Sequence, residues 1–101
     1  MKLRDLKGLG PASEKMLQSI DIKTPKDLEE LGAVRAFIKL KSASKMKPSL
    51  NMLYAMVGAL EDKHWIDIAT TEKGRLIMEI DGYHELEKIL EAEGIALFKE
   101  N

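Results

Sequence analysis

A chain of 101 residues, 45% apolar and 33% charged, has enough material for one hydrophobic core and therefore for one domain with a well-solvated surface. It contains no cysteine, which excludes disulfides, zinc–thiolate centres and thiol nucleophiles. No stretch approaches the ~18 consecutive apolar residues of a membrane helix, and the first residues lack the apolar segment of a signal peptide, so a cytoplasmic protein without membrane contact is expected.

The net charge of −1 is unevenly spread. Residues 1–50 hold eleven Lys and Arg against six Asp and Glu, a net of +5, whereas residues 51–101 hold five against eleven, a net of −6. Between Glu30 and Glu61 lie Arg35, Lys39, Lys41, Lys45 and Lys47 and no acid. This segregation reads either as a basic face opposed to an acidic one or as a solvated surface whose halves simply differ.

Helix signals run along the whole chain. Pro11 suits the first turn of a helix, where its missing N–H is harmless, and Met16, Leu17 and Ile20 supply a buried stripe that stops near Ser19–Asp21. Thr24-Pro25 starts a second helix, with Thr24 as N-cap, Pro25 at the first helical position and Asp27 near the positive end of the dipole. That helix presents Leu28 and Leu31 and ends at Gly32. A third, from about Ala33 to Ser42, carries Val34, Phe37, Ile38 and Leu40, and the segment Ser42–Pro48 reads as a loop because Pro48 disfavours helix at Lys47. Ser49 caps a helix over Leu50–Glu61 that is apolar on most sides and so belongs at the centre of the core, with Gly58 marking a close packing contact. The chain then turns through residues 62–68, and Thr70 or Thr71 caps a further helix whose stripe is Leu76, Ile80, Tyr83, Leu86 and Leu90. Gly82 lies within that helix, and Gly94 is a natural stop.

The segment Leu6-Lys7-Gly8-Leu9-Gly10-Pro11 has the logic of a helix–hairpin–helix turn. An apolar residue between two glycines plugs the core, the glycines permit a tight path, and a helix begins at once with its free N–H groups facing outward. Such a helix start suits a phosphate oxygen. The candidate phosphate-binding set is therefore Lys7, Gly8, Gly10, Ser13 and Lys15, extended by a basic patch of Arg35, Lys39, Lys41, Lys45 and Lys47. Contacts of this type hold nucleic-acid backbone without reading bases. The same turn also serves as a compact connector in domains that bind only protein, and the slightly negative net charge is unlike that of a dedicated DNA-binding domain.

Several blocks resemble a known family. Leu6-Lys7-Gly8-Leu9-Gly10-Pro11-Ala12-Ser13-Glu14-Lys15-Met16-Leu17, then Ile22–Leu28 and Leu31–Phe37, then Pro48–Leu60 followed by His64-Trp65, resemble in order and spacing the C-terminal domain of the TfoX/Sxy competence regulators. The resemblance covers roughly residues 3–80. It implies an all-α, five-helix SAM-like bundle related to helix–hairpin–helix domains, in a bacterial protein linked to regulation of natural transformation. Two regions are expected on this basis: residues 1–80 as the family domain and residues 81–101 as an acidic helical extension. In that family the domain often follows an N-terminal one, and nothing but a few residues precedes the hairpin here, so the chain is either a stand-alone copy or a piece of a longer protein.

Other residues suggest less. Trp65 with Ile66 and Ile68 reads as a plug closing the bundle, the alternative being an exposed aromatic contact. Asp62, His64 and Asp67 are too few donors on one short loop for a metal site. Neither histidine lies in a motif with a nucleophile and no carboxylate pair stands out, so no catalytic residue, metal or cofactor is expected. The apolar stripe of residues 72–98 packs either on its own bundle or against a second copy. Two functions remain open at this level: a regulatory domain that holds nucleic-acid backbone, and a protein-interaction or homodimerisation module without DNA affinity.

Overall fold

The computed structural model describes residues 1–43 and 48–94. After a single 3-10 turn at Leu3–Asp5, six helices follow among the described residues: α1 (Pro11–Gln18), α2 (Pro25–Leu31), α3 (Ala33–Ala43), α4 (Leu50–Glu61), α5 (Trp65–Thr71) and α6 (Lys73–Ala92). No described segment is a strand. The fold is all-α, as the periodicity predicts.

Helix starts are set by local chemistry. The Thr24 hydroxyl accepts from the Asp27 N–H at 3.1 Å while the Asp27 carboxylate accepts from the Thr24 N–H at 3.1 Å, a reciprocal cap that leaves little freedom in where α2 begins. Ser49 caps α4 through the Met52 N–H. α4 then packs on α5 and α3, and Leu53 and Met56 on it are fully buried. α3 adds Ala36, Phe37, Ile38 and Leu40, and Leu3, Leu9, Leu17 and Leu28 close the other side of the same cluster. Gly58 is where α4 meets the chain that follows it. A Cβ there would collide with the Lys63 carbonyl oxygen, and the Lys63 N–H donates to the Gly58 carbonyl at 2.8 Å.

Three expectations change between residues 62 and 92. Residues 65–71 are a helix rather than a simple turn, capped by the His64 Nδ1, which accepts from the Ile66 N–H at 3.1 Å. Thr70 and Thr71 cap nothing. Their hydroxyls donate back to the Ile66 and Asp67 carbonyls, and they end α5 rather than start α6. The apolar trio at 65–68 does not plug the bundle as a unit. At about 100° per residue Ile66 and Ile68 point in nearly opposite directions, so burying Ile68 leaves Ile66 51% exposed and Trp65, in the first turn, 37% exposed. α6 runs through Gly82 without interruption and across residue 80, where the expected domain and extension meet.

Candidate nucleic-acid interface

The glycine turn is formed as a plug between two open glycines. The Leu6 N–H donates to the Leu3 carbonyl and the Leu9 N–H to the Leu6 carbonyl, which folds the chain back on itself. Gly8 takes φ +84°, a region in which an L side chain is strained, and Leu9 beside it is 5% exposed within the core. Gly10 is the N-cap of α1, in extended backbone, with Pro11 in the first helical position. Pro11 has no N–H and Gly10 has no side chain to cap with, so the amides of Ala12 and Ser13 stand at the positive end of the helix without a capping group. Lys7, Gly8 and Lys15 are exposed and Ser13 is half-buried. Lys7, Gly8, Gly10 and Ser13 thus lie at the start of α1, while Lys15 stands in its last turn.

Only one turn of 3-10 helix precedes the glycines, and a charged pair ties it down. Glu14 is 5% exposed, the one buried charged side chain among the described residues. Its carboxylate accepts from the Arg4 backbone N–H at 3.1 Å and from Arg4 Nε at 2.9 Å, with a second guanidinium nitrogen at 2.8 Å. These hydrogen bonds hold the Glu14 carboxyl below the usual carboxylate range and raise the Arg4 guanidinium above its own. The consequence for the site is electrostatic. An acid in the first turn of α1 would repel an anion, but Arg4 neutralises it in place. Sequence reasoning assigned Glu14 no role, because its partner lies ten residues upstream across a turn whose geometry had to be known first.

The basic run of α3 does not join the hairpin as a single face. Lys39 Nζ donates to the Ile20 carbonyl at 3.2 Å, just past the far end of α1, which lies about 12 Å along the helix from Gly10 at 1.5 Å per residue. Lys41 sits over the Phe37 ring with its Nζ 5.7 Å from the centroid, and about 160° around α3 from Lys39. Arg35 borders a cleft of about 370 Å³ between the α2–α3 junction, α4 and α6. Glu61, Arg75 and Glu79 share that rim, and Arg75 is bound to both Glu72 and Glu79. Lys45 and Lys47 lie outside the described residues. Among the described residues no group of three or more His, Asp or Glu could hold a metal ion, and no helix is long and apolar enough to cross a membrane.

The chain is an all-helical domain opened by a buried-leucine glycine turn at a helix start. Comparison places it more closely: the TfoX C-terminal domain family matches residues 1–80, and the chain belongs to that family. The family is associated with the regulation of competence and DNA uptake. The crystal structure of an uncharacterized protein from Listeria monocytogenes is similar in fold, with a TM-score of 0.65 and 24% identity over 97% of this chain and 100% of that one. No curated protein sequence matches.

Proposed function

We propose that this chain is a non-catalytic regulatory domain of the bacterial cytoplasm, acting in the control of competence through protein contacts and through a sequence-independent grip on nucleic-acid backbone at its hairpin end. The observation that carries the second part is the uncapped start of α1 beside an exposed Lys7 and Gly8, with Lys15 exposed farther along the helix and the nearby Glu14 already neutralised by Arg4. Open amides, a positive helix end and flexible cations are what a phosphate oxygen requires, and none of them reads a base. The grip is small. With Lys39 and Lys41 engaged elsewhere, two lysines neutralise about two phosphates, so log K should fall with log salt by a slope of only about 2 on duplex DNA.

Titration of a labelled duplex at low salt tests this. Lys15→Glu and Lys7→Glu should each weaken binding several-fold and lower the salt slope by about 1, without altering the thermal midpoint. If the duplex does not bind, or binds the two variants as it binds the parent, the backbone-holding role is wrong. A second reading, a module that binds only protein, is favoured by the exposed Met78, Leu86 and Ile89 on α6 and by the five acids against one lysine over residues 81–94. It expects no salt-sensitive affinity for nucleic acid.

A further inference from the structure

The core's contact with α6 ends before the helix does. Leu76 and Ile80 are buried and Tyr83 packs partly against the same cluster, which among the described residues has no later member on α6. The apolar stripe nevertheless runs on for two more turns. Leu86 and Leu90 follow Tyr83 at steps of three and four, and Ile89 lies beside them, about 60° around the helix from Leu86. Leu86 is 40% exposed and Ile89 54%. The way α6 ends sets where the chain goes next. Gly94, one residue past the C-cap Glu93, takes φ +76°, and its N–H donates to the Glu91 carbonyl at 3.0 Å. A Cβ on Gly94 would meet nothing within 4 Å, so the backbone angle and not crowding calls for glycine there. A left-handed glycine bonded back in this way is half of a two-bond helix stop. The other half is a bond from the next N–H to the carbonyl of the residue four before the glycine, here Leu90, commonly with an apolar contact between the same two residues. The next residue is Ile95, the first of Ile95-Ala96-Leu97-Phe98, which lie outside the described residues.

We infer that residues 95–98 are a strap that folds back along α6 and covers the strip of Leu86, Ile89 and Leu90, with Ile95 on Leu90 and Phe98 level with Leu86. The stop at Gly94 supplies the direction, since its second bond turns Ile95 onto Leu90. The reach fits as well. Leu86 lies eight residues before Gly94, about 12 Å down the helix, and four extended residues span about 13 Å. Three of the four residues are large and apolar and none is charged, so the contact takes apolar surface out of water on both sides. With the strap in place Leu86 and Ile89 are closed to a partner, and a module that binds only protein is left with Met78 on α6. The contact involves neither the hairpin nor its lysines, and it stands or falls independently of nucleic-acid binding.

The absence of native cysteine makes the geometry directly testable on the full chain. Under mild oxidation at low protein concentration, Leu86→Cys with Phe98→Cys should close an intramolecular disulfide at least about tenfold faster than Lys88→Cys with Phe98→Cys. Lys88 is nearer to Phe98 along the sequence but stands about 160° around α6 from Leu86, so a freely moving tether would close the Lys88 pair at least as fast. In the unsubstituted chain the Ile95 amide should exchange with solvent at least about tenfold more slowly than an open backbone amide. Gly94→Val, strained at φ +76°, should erase that protection and the difference between the two cysteine pairs while leaving the far-ultraviolet circular dichroism of the helices in place. Exchange of Ile95 at the open rate, equal closure of the two pairs, or a disulfide found only between chains, as a second copy on the strip would give, would each overturn the proposal.

Discussion

Alanine at Gly58 and alanine at Gly82 should move stability in opposite directions, although both positions are helical. Replacing a mid-helix glycine by alanine favours the folded state by about 1 kcal/mol when nothing else changes. At Gly82 the new methyl meets open space, so that gain should appear nearly whole, and the thermal midpoint should rise by roughly 4–8 °C in a domain of this size. At Gly58 the methyl would run into the Lys63 carbonyl oxygen, an atom of backbone that cannot swing aside. Relieving that overlap requires the residue 62–64 turn to move, with an overpacking cost of about 1–3 kcal/mol. It also stretches the 2.8 Å bond from the Lys63 N–H to the Gly58 carbonyl, whose net worth is about 1 kcal/mol. The two penalties together outweigh the propensity gain, leaving Gly58→Ala less stable by about 1–3 kcal/mol, or roughly 4–24 °C in midpoint. Differential scanning calorimetry on dilute protein measures both. A Gly58→Ala midpoint equal to or above that of the parent would refute the close approach of the α4–α5 turn.

Gly8→Ala should lower stability by about 1–2 kcal/mol through the strain of φ +84° alone, since its added methyl meets no closer neighbour than the Ala55 carbonyl at 4.0 Å; an unchanged urea midpoint would show that the turn relaxes freely. Leu9→Ala empties a core position that is 5% exposed and should lose about 2–5 kcal/mol in urea unfolding, whereas a loss under 1 kcal/mol would mean the hairpin is not anchored by this residue. Thr24→Ala removes the acceptor for the Asp27 N–H and should cost about 1 kcal/mol in the same assay. Glu14→Gln should be less stable than the parent at neutral pH, and the gap should close on acidification. The parent's carboxyl is held below the ordinary carboxylate range by Arg4, so its contribution is present above that range and fades as pH falls through the depressed value. A gap between the two midpoints that stays constant from pH 7 to about pH 2 would show that the charge of Glu14 is irrelevant.

What could be read in advance depended on whether the decisive interaction was local. Pro11, the Thr24-Pro25 pair, Gly32 and Ser49 marked their helix ends correctly because a cap involves residues three apart, and so did Leu9 as the plug between its glycines. Gly58 announced a close contact without saying with what. α5 was illegible for the opposite reason. Seven residues with one buried side chain, Ile68, give no periodicity to detect, and a Thr-Thr pair that looks like a cap proves to bond backward. The site was half legible on the same grounds. Lys7, Gly8, Gly10 and Ser13 fall at the start of α1 because the turn is continuous in sequence, while Lys15 is carried on to its last turn. Arg35 and Lys39, one turn apart, share a side of α3 from which Lys41 is rotated by about 160°, and Arg4 and Glu14, distant in sequence, are joined by a fold-back that no spacing rule reveals.

That pair also explains how so short an entry can support the turn. A hairpin between two full helices is held by the packing of both, but here the incoming side is three residues of 3-10 helix, with Leu3 its one buried side chain. Burial of Leu3 fixes where the segment lies without fixing its rotation, since a leucine makes no directional bond. The Glu14 carboxylate supplies the missing direction by accepting from both the backbone and the guanidinium of Arg4, three atoms in two different planes. Its position on α1 then has a second consequence. The carboxylate that orients the entry turn also belongs to the first turn of α1, so the one ion pair both shapes the hairpin and neutralises an acid near the open amides. On the proposed function, stability and anion affinity at this end of the molecule are therefore coupled through Arg4.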